Sequence, residues 1–323
     1  TGALLASLNL NTFKEVEIVL PVDPMFVVGA GEDYTVVIKS GGESIGEGYV
    51  VVLELVNGGN RKNYTLTTDD EGSVSLPINL GYAKVYTFNI YFNPQDNYLG
   101  SFASQDITVN AIVTKLVTAY TDDWFNSTVF SYDDWTATLL DVNDNPISNV
   151  IVNVNFTGLN NKTVVYKIKS DSNGDVKLPL RLGFVGLYKI SANFEGNNRY
   201  ANSSSNNISV NISKTNVTII AKNITTTTKS GENYTIQLLT TNNKPINGAK
   251  VYINFTNKNG VGTVYKLKTD AEGKAFLPLN LAYVGNYNLV IFFNDTENYN
   301  GKVTKTTQVK VVKDEQVLAK IEE

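Results

Sequence analysis

The chain has 323 residues with no cysteine and no histidine, and 27 lysines and arginines against 31 aspartates and glutamates give a formal net charge of −4. Without cysteine the chain cannot form disulfides, thiolate nucleophiles or the usual zinc sites, and without histidine it lacks Ser-His-Asp and Cys-His catalysis. The mild acidity, with no basic cluster, argues against nucleic-acid binding. We therefore predict no catalytic residue, no metal ligand and no cofactor.

The composition favours strands and turns. Asparagine occurs 41 times and tyrosine 18 times, whereas proline occurs only 8 times. Tyrosine, threonine, valine and isoleucine favour strands, and asparagine and glycine favour the turns between them. No apolar run approaches the roughly 20 residues that a membrane-spanning helix needs. The first residues contain neither a cationic signal region nor a small-residue cleavage pattern, so we expect that any export signal has been removed.

The first predicted element is an extra strand in residues 1–13. Its apolar residues alternate, and they are Leu4, Ala6, Leu8 and Leu10. Two interpretations stay open for this segment. It could be an elongated edge strand of its own domain, or a donor strand that completes a sheet in the next molecule. The second arrangement would build a head-to-tail filament rather than a closed ring.

Three copies of one pattern follow. Each copy contains Asp-x-x-Gly, then Leu-Pro, then a tyrosine that opens a strand, and the glycines Gly72, Gly174 and Gly273 recur at intervals of 102 and 99 residues. A period near 100 residues with short, evenly spaced strands is typical of a seven-stranded sandwich. We therefore predict an all-β chain of three tandem Ig-like antiparallel β-sandwich domains in a linear rod. The predicted domains are residues 14–112, 113–214 and 215–312.

The second copy illustrates the predicted strands, which are 113–117, 135–140, 150–156, 164–168, 176–178, 188–194 and 208–212. Alternation assigns the two faces, because successive side chains in a strand point to opposite sides. Val152 and Val154 are expected to point inward, and Asn153 and Asn155 outward. No Gly/Ser-rich or Pro-rich tether joins the copies, so we expect little swing between the domains.

The Asp-x-x-Gly element predicts a hairpin turn, in which glycine supplies a positive φ and aspartate bonds to the local backbone. A calcium site is the competing interpretation, because Asp171-Ser172-Asn173-Gly174-Asp175 offers oxygen ligands at alternate positions. The third copy has Lys274 where the second has Asp175. A position that accepts a cation favours the turn.

The outward faces of the third and sixth strands differ between copies. They are polar in the second copy, whereas the first and third copies carry apolar residues there. The candidate contact face consists of Val50, Val52, Tyr91, Tyr252, Val290 and Phe292. These residues could make an intermolecular contact. Alternatively, a terminal segment or a neighbouring domain covers them, or the predicted register is wrong by one residue.

Asn-x-Ser/Thr sequons are about twice as frequent as the composition alone would give. They occur at Asn63, Asn126, Asn155, Asn161, Asn202, Asn207, Asn211, Asn216, Asn223, Asn233, Asn254 and Asn294. Alternation and loop placement put most of them on the surface. We expect that several carry glycan if the chain is exported, although chance enrichment in an asparagine-rich chain also accounts for part of the excess.

Other candidate chemistry is sparse. The acidic pairs Asp122/Asp123 and Asp133/Asp134 resemble the carboxylates of a glycosidase, but no second constellation supports them. Asn110 and Asn211 are possible acceptors for a Lys–Asn isopeptide crosslink, for which the third copy has no equivalent. The charged tail, residues 313–323, could form a short helix or simply a solvated end.

The phrases NNKPINGAKV, TDAEGKAFLPL, VGLYKISANFEGNNRYANSS and VGNYNLVIFFNDTENYNG resemble the Ig-like repeats of large microbial surface proteins. They look most like the adhesin-like proteins of methanogenic archaea and related bacterial Ig-like repeat proteins, over about residues 14–312. The resemblance implies an extracellular location, an Ig-like sandwich and a role in adhesion or surface architecture. The first copy departs from the pattern between Gly41 and Gly48, where we expect a different loop.

We therefore expect a non-enzymatic, extracellular cell-surface glycoprotein, an adhesin-like structural rod for cell attachment that binds a host-cell glycan or protein. The alternative is a pilus-like filament subunit whose partner is a second copy, bound head to tail through the N-terminal segment. A ligand-free spacer is a third interpretation. The ligand itself does not follow from the sequence, because sandwich loops carry specificity without a recognisable code.

Overall fold

The computed structural model describes residues 13–120, 122–257 and 259–313. Within them the chain forms 27 β-strands and no helix. Accordingly, this part of the chain contains no helix that is long and apolar enough to cross a membrane. The strands form three successive two-sheet sandwiches, which we call modules 1, 2 and 3.

Module 1 contains the strands β1 (Glu17–Val19), β2 (Met25–Val27), β3 (Asp33–Ser40), β4 (Glu43–Ser44), β5 (Val50–Asn57), β6 (Asn60–Thr67), β7 (Ser73–Pro77), β8 (Lys84–Phe92) and β9 (Ser101–Asn110). In one sheet, β3 lies between β1 and β7 and also pairs with the short β4. The other sheet has the order β2-β9-β8-β5-β6. The β3–β4 hairpin lies in the loop that the sequence set apart from the other copies.

Module 2 contains β10 (Thr114–Thr118), β11 (Trp124–Thr128), β12 (Asp134–Asp141), β13 (Ile151–Thr157), β14 (Thr163–Lys169), β15 (Asp175–Pro179), β16 (Gly186–Phe194), β17 (Ser203–Ser204) and β18 (Ile208–Ser213). Its sheets have the orders β10-β12-β15 and β11-β18-β16-β13-β14, with β17 beside β16.

Module 3 contains β19 (Thr215–Ile220), β20 (Ile224–Thr227), β21 (Asn233–Thr240), β22 (Lys250–Thr256), β23 (Gly262–Lys268), β24 (Lys274–Pro278), β25 (Gly285–Phe293), β26 (Tyr299–Asn300) and β27 (Val303–Val312). Its sheets have the orders β24-β21-β19-β26 and β20-β27-β25-β22-β23.

The three modules share one strand order, which is that of an Ig-like sandwich. The first strand of each module pairs antiparallel with a strand of the smaller sheet. The second strand (β2, β11 or β20) runs parallel to the last strand and belongs to the larger sheet. The fold is therefore all-β, as predicted, but the sequence pattern missed these second strands, whose residues show no clear apolar alternation.

Each module has its own apolar core. The buried residues form three separate clusters, which run from Phe26 to Val109, from Leu116 to Ile212 and from Val217 to Val311. Val152 and Val154 are buried as predicted, and the inward residues of β8, β16 and β25 alternate along each strand and are all buried. Among the described residues, the buried polar side chains are threonines and one serine. Burial of apolar surface is the main term that stabilises each sandwich.

The Asp-x-x-Gly element forms a tight turn in every module. It is not the predicted hairpin, because the strands on its two sides (β6 and β7, β14 and β15, β23 and β24) belong to different sheets. In module 2 the Oδ1 atom of Asp171 accepts hydrogen bonds from the backbone N–H groups of Asn173 and Asp175, at 2.8 and 3.0 Å. These hydrogen bonds lower the pKa of Asp171. The glycine that follows, Gly174, has a φ of 76°. The aspartate thus closes the turn from within the chain, which supports the turn over the calcium interpretation.

The same hydrogen bond recurs near the start of β8, β16 and β25 in the three modules. A buried tyrosine donates it to the backbone carbonyl oxygen of the residue four positions earlier. In module 2, Tyr188 Oη donates to the carbonyl oxygen of Phe184 at 2.9 Å. Tyr86 and Tyr287 make the same bond in modules 1 and 3. This arrangement is the tyrosine corner of Ig-like sandwiches. The sequence pattern located the tyrosines but not this role.

Candidate interaction surfaces

The modules follow one another with almost no free chain between them. Only Ala111 lies between the end of β9 and Ile112, which bridges to Tyr200 of module 2. Only Lys214 lies between the end of β18 and the start of β19. The last strand of one module thus leads directly into the first strand of the next, and such short connections restrict relative domain motion.

The two joints make different contacts. At the joint between modules 1 and 2, the backbone N–H of Ala83 donates to the carbonyl oxygen of Asn198 at 2.6 Å. At the joint between modules 2 and 3, the rings of Phe130 and Tyr299 stack with their centroids 6.2 Å apart. Across the same joint, the ammonium group of Lys244 lies 5.4 Å from the centroid of the Tyr132 ring. Among the described residues, the second joint therefore has ring-stacking and cation–π contacts, which the first joint lacks.

Two candidate contact residues of module 1, Val52 and Tyr91, lie in one row across the outer face, by which we mean the solvent side of each module's larger sheet, and Val50 lies in the neighbouring row. Val52 pairs with Tyr91, and Tyr91 pairs with Phe102. The rings of Tyr91 and Phe102 lie 5.2 Å apart. Val50 is 42% exposed and Phe102 59% exposed, whereas Val52 and Tyr91 are half-buried. The sequence prediction missed Phe102, which alternation along β9 could have found.

Module 3 has the corresponding row. Tyr252 pairs directly with Phe292, and their rings stack with centroids 5.3 Å apart. Val290 lies in the next row beside Asn254, which also pairs with Val264. Tyr252, Val290 and Phe292 are half-buried. Val264, which the sequence prediction missed, is exposed and extends the apolar area to the edge strand β23.

The same row in module 2 is polar. Asn153 pairs with Asn193 on the neighbouring strand, and the Nδ2 of Asn153 donates to Glu195 at 2.7 Å. Asn193 in turn pairs with Ser204. In this row modules 1 and 3 are therefore apolar where the middle module carries amides and a hydroxyl group. The contrast is confined to this row, because Ile151, Val165 and Leu187 are exposed elsewhere on the outer face of module 2.

Charge also differs between the two apolar faces. The outer face of module 3 carries exposed lysines, which are Lys250, Lys266, Lys268 and Lys310. On the outer face of module 1, Glu54 accepts hydrogen bonds from Asn89 and from Arg61 at 2.8 and 2.9 Å. These two bonds lower the pKa of Glu54. The face of module 3 is thus the more cationic of the two.

Most sequon asparagines are on the surface. The exposed ones are Asn63, Asn126, Asn161, Asn202, Asn207, Asn211, Asn216, Asn223, Asn233 and Asn294. Asn155 and Asn254 are half-buried on the outer faces of modules 2 and 3. A glycan on Asn254 would lie beside Val264 and Val290. Glycosylation there would therefore compete with a contact on that face.

The acidic groups do not converge on a cleft. Asp122 and Asp123 are exposed in the loop before β11. Asp133 accepts a hydrogen bond from the hydroxyl group of Ser127, and Asp134 begins β12. The exposed group of Asp69, Asp70 and Glu71 could place three carboxylates near one cation. However, Asp69 already accepts the backbone N–H groups of its own turn.

A depression of about 340 Å³ lies between the β22–β23 loop and the β24–β25 loop of module 3. Its floor is formed by Phe255 and Tyr287, and Tyr283 and Val261 lie at its rim. The described residues that line it include no carboxylate and no lysine. Such a lining suits contact with a neutral ligand rather than acid–base chemistry.

The remaining candidates are either exposed or outside the described residues. Asn110 and Asn211 are exposed, and Asn211 donates to the side chain of Asn126 at 3.1 Å. No lysine is buried in the described cores. The candidate donor-strand residues Leu4, Ala6, Leu8 and Leu10, and the tail from residue 314 onward, lie outside the described residues.

Comparison with known proteins gives structural neighbours only. No family model matches the sequence, and no curated protein is similar to it. A tetra-tandem repeat from the extending region of a large adhesion protein is 14% identical with a TM-score of 0.33, over 92% of this chain and 74% of that one. Immunoglobulin domains 1–5 of Sidekick-1 are 12% identical with a TM-score of 0.37, over 92% and 59%.

The native conformation of E. coli alpha-2-macroglobulin is a third neighbour, 8% identical with a TM-score of 0.24, over 93% of this chain and 22% of that one. This chain therefore spans about three quarters of the first neighbour, well over half of the second and about a fifth of the third. The Ig-like assignment rests on the strand order and register of the modules themselves.

Proposed function

We propose that this chain is a non-enzymatic, extracellular, adhesin-like structural rod that presents its outer faces for cell attachment. The observation that carries the proposal is the shortness of the two connections between complete sandwiches, which are residues 111–113 and the single residue Lys214. Connections this short favour an end-to-end arrangement, in which no module covers the outer face of another. Such a molecule suits mechanical presentation better than catalysis.

The outer faces of modules 1 and 3 are the proposed contact surfaces. Exposed apolar residues grouped on one sheet are typical of interaction sites. The paired rings, Tyr91 with Phe102 and Tyr252 with Phe292, supply rigid contact area at low entropic cost. We propose a host-cell glycan or protein as the partner, and the polar module 2 as a spacer between the two contact surfaces.

The pilus-like filament is the weaker candidate. Donor-strand complementation needs a sandwich that lacks a strand, so that a partner's strand can fill the groove. Each module has its own first, second and last strands, and the described residues show no sheet from which one of these is missing. A second copy thus remains a possible partner only through a face or an edge strand.

A double substitution tests the contact surface. Val290→Ser together with Phe292→Asn gives module 3 the residues that module 2 carries at the paired positions, Ser191 and Asn193. Because module 2 accommodates these residues, the variant is expected to stay folded and to lose binding to a panel of immobilised glycans and glycoproteins. Surface plasmon resonance measures the binding, and light scattering measures self-association.

The matched control is Ser191→Ala with Asn193→Ala on the polar face of module 2, which should leave both readouts unchanged. If the double substitution in module 3 alters neither binding nor self-association, the outer face of module 3 is not a contact surface. Loss of binding in both variants would also contradict the proposal, because the effect would then not depend on the apolar residues.

A further inference from the structure

Two aromatic residues in one loop of module 2 have an unusual backbone conformation. Phe130 and Tyr132, in the loop between β11 and β12, have φ angles of 59° and 64°. For bulky side chains the left-handed region is strained, and such strain persists only where the surrounding structure holds it. Strain of this kind often marks a functional position.

The equivalent loops of the other modules show what this position ordinarily needs. The backbone N–H groups of Gly29, Phe130 and Lys229 each donate to a leucine carbonyl in the corresponding loop, at 2.9 to 3.1 Å. Two residues later, module 1 has Gly31 and module 3 has Gly231, both with positive φ. Glycine adopts this conformation without strain. Module 2 alone has aromatic residues at both positions.

Both aromatic side chains reach module 3. Phe130 stacks on Tyr299 with an interplanar angle of 25°. The Tyr132 ring makes two cation–π contacts, with the guanidinium carbon of Arg181 in its own module and the ammonium group of Lys244 in module 3 each 5.4 Å from its centroid. Stacking and cation–π contacts both depend on the relative orientation of the groups. A change in the angle between modules 2 and 3 would break them.

Two further features support the β11–β12 loop and the joint between modules 2 and 3. A Cβ at Gly183 would lie 3.1 Å from the Phe130 ring, so the missing side chain leaves room for the ring. In addition, Lys214 in the connection forms an ion pair with Asp295 of module 3 at 3.4 Å. At the joint between modules 1 and 2, the described residues show no ring stacking, cation–π contact or ion pair.

We propose that Phe130 and Tyr132 form a clamp that fixes the angle between modules 2 and 3, and that the joint between modules 1 and 2 bends more freely. The chain is then a rigid two-module unit with a hinged first module. This inference goes beyond the proposed function, because it holds whatever the outer faces bind. The strained φ angles of Phe130 and Tyr132 are maintained because they place the two rings against module 3.

Distances between spin labels test the clamp in the full chain. The chain contains no cysteine, so introduced cysteines are labelled without background. Ser75, Lys177 and Phe276 are exposed positions in β7, β15 and β24. Cysteines at 75 and 177 report on the first joint, and cysteines at 177 and 276 report on the second. Double electron–electron resonance gives the width of each distance distribution.

We expect a narrower distribution for the 177–276 pair than for the 75–177 pair. Phe130→Gly with Tyr132→Gly should broaden the 177–276 distribution to the width of the first joint and leave the 75–177 distribution unchanged. Glycine suits a positive φ, so this variant is expected to fold, and the fluorescence of the buried Trp135 checks that it does. Lys229→Gly is the matched control at the equivalent position of module 3, and it should change neither distribution.

Equal widths at the two joints of the unsubstituted chain would overturn the proposal. An unchanged 177–276 distribution in the glycine variant would overturn it as well, since the angle would then be set by the connection alone. Broadening at both joints would show a general loosening of module 2 rather than the release of a clamp, and would equally contradict the proposal.

Discussion

Gly174→Ala is expected to lower the free energy of unfolding of module 2 by about 2–5 kcal/mol, as the sum of two effects. A positive φ of 76° costs an L-residue about 1–2 kcal/mol. A Cβ at this position would also overlap the carbonyl oxygen of Leu139, and overpacking against rigid backbone costs about 1–3 kcal/mol. The turn therefore requires glycine for two reasons, which are the positive φ at this position and the lack of space for a Cβ.

Tryptophan fluorescence during urea unfolding measures this effect in module 2 alone. Trp135 is fully buried in the core of module 2, and the second tryptophan, Trp124, is replaced by phenylalanine to remove its signal. Asn161→Ala, at another positive φ of module 2, should cost only about 1 kcal/mol. Gly72→Ala makes the same change in module 1 and should leave the Trp135 transition in place. A shift of that transition by Gly72→Ala would contradict independent cores.

Thr269→Val is expected to destabilise module 3 by about 2–4 kcal/mol, although the two side chains have nearly the same shape. Thr269 is 3% exposed. Its hydroxyl group donates to the carbonyl oxygen of Ile246 at 2.6 Å and accepts the backbone N–H of Ala249 at 2.9 Å. Valine leaves both backbone groups without this partner, and each buried unsatisfied group costs about 1–3 kcal/mol.

Module 2 suggests the control for this prediction, because Ser170 occupies the equivalent position and its hydroxyl group accepts the backbone N–H of Val150 at 3.2 Å, as Thr269 accepts that of Ala249. Thr269→Ser keeps the hydroxyl group and should cost less than half as much as Thr269→Val. Hydrogen exchange followed by mass spectrometry on peptides from β21 and β22 reports the stability of module 3. Equal losses from the serine and valine variants would show that the methyl group, not the hydrogen bonds, stabilises this position.

Most of the fold follows from local sequence patterns. Alternation along the third predicted strand of the second copy placed Val152 and Val154 inward, and both are buried in β13. This works because a strand between two neighbours, with one face on a core, must alternate. The Asp-x-x-Gly turns were equally predictable, since the requirement for glycine and the Asp-to-backbone bond are both local.

The missed elements depend on contacts distant in sequence. The second strand of each module, such as β20 with the sequence ITTT, is held by a parallel partner more than 80 residues away. Its residues carry no alternation, so no local pattern predicts it. Phe130 and Tyr132 run against local preference, because positive φ favours glycine. Only the neighbouring module explains why aromatic residues stand there.

The candidate contact face was predictable from the sequence only in part. Alternation placed Val52, Tyr91 and Phe292 on outward faces, where the structure also has them. The lateral neighbours that extend each row, Phe102 and Val264, depend on the register between strands, which the sequence does not specify. The sequon asparagines were also predictable only in part, because alternation predicts that their side chains are exposed but not that they carry glycan.

The overall dimension in solution tests the account most directly, because the proposed rod depends on three sandwiches arranged end to end. A compact globule of this length has a radius of gyration of about 20 Å. A ten-residue strand such as β9 is about 33 Å long, so three modules in line should give a radius of gyration of roughly 30–35 Å by X-ray scattering. A value near 20 Å would mean that the modules fold back on one another, and it would contradict the rod.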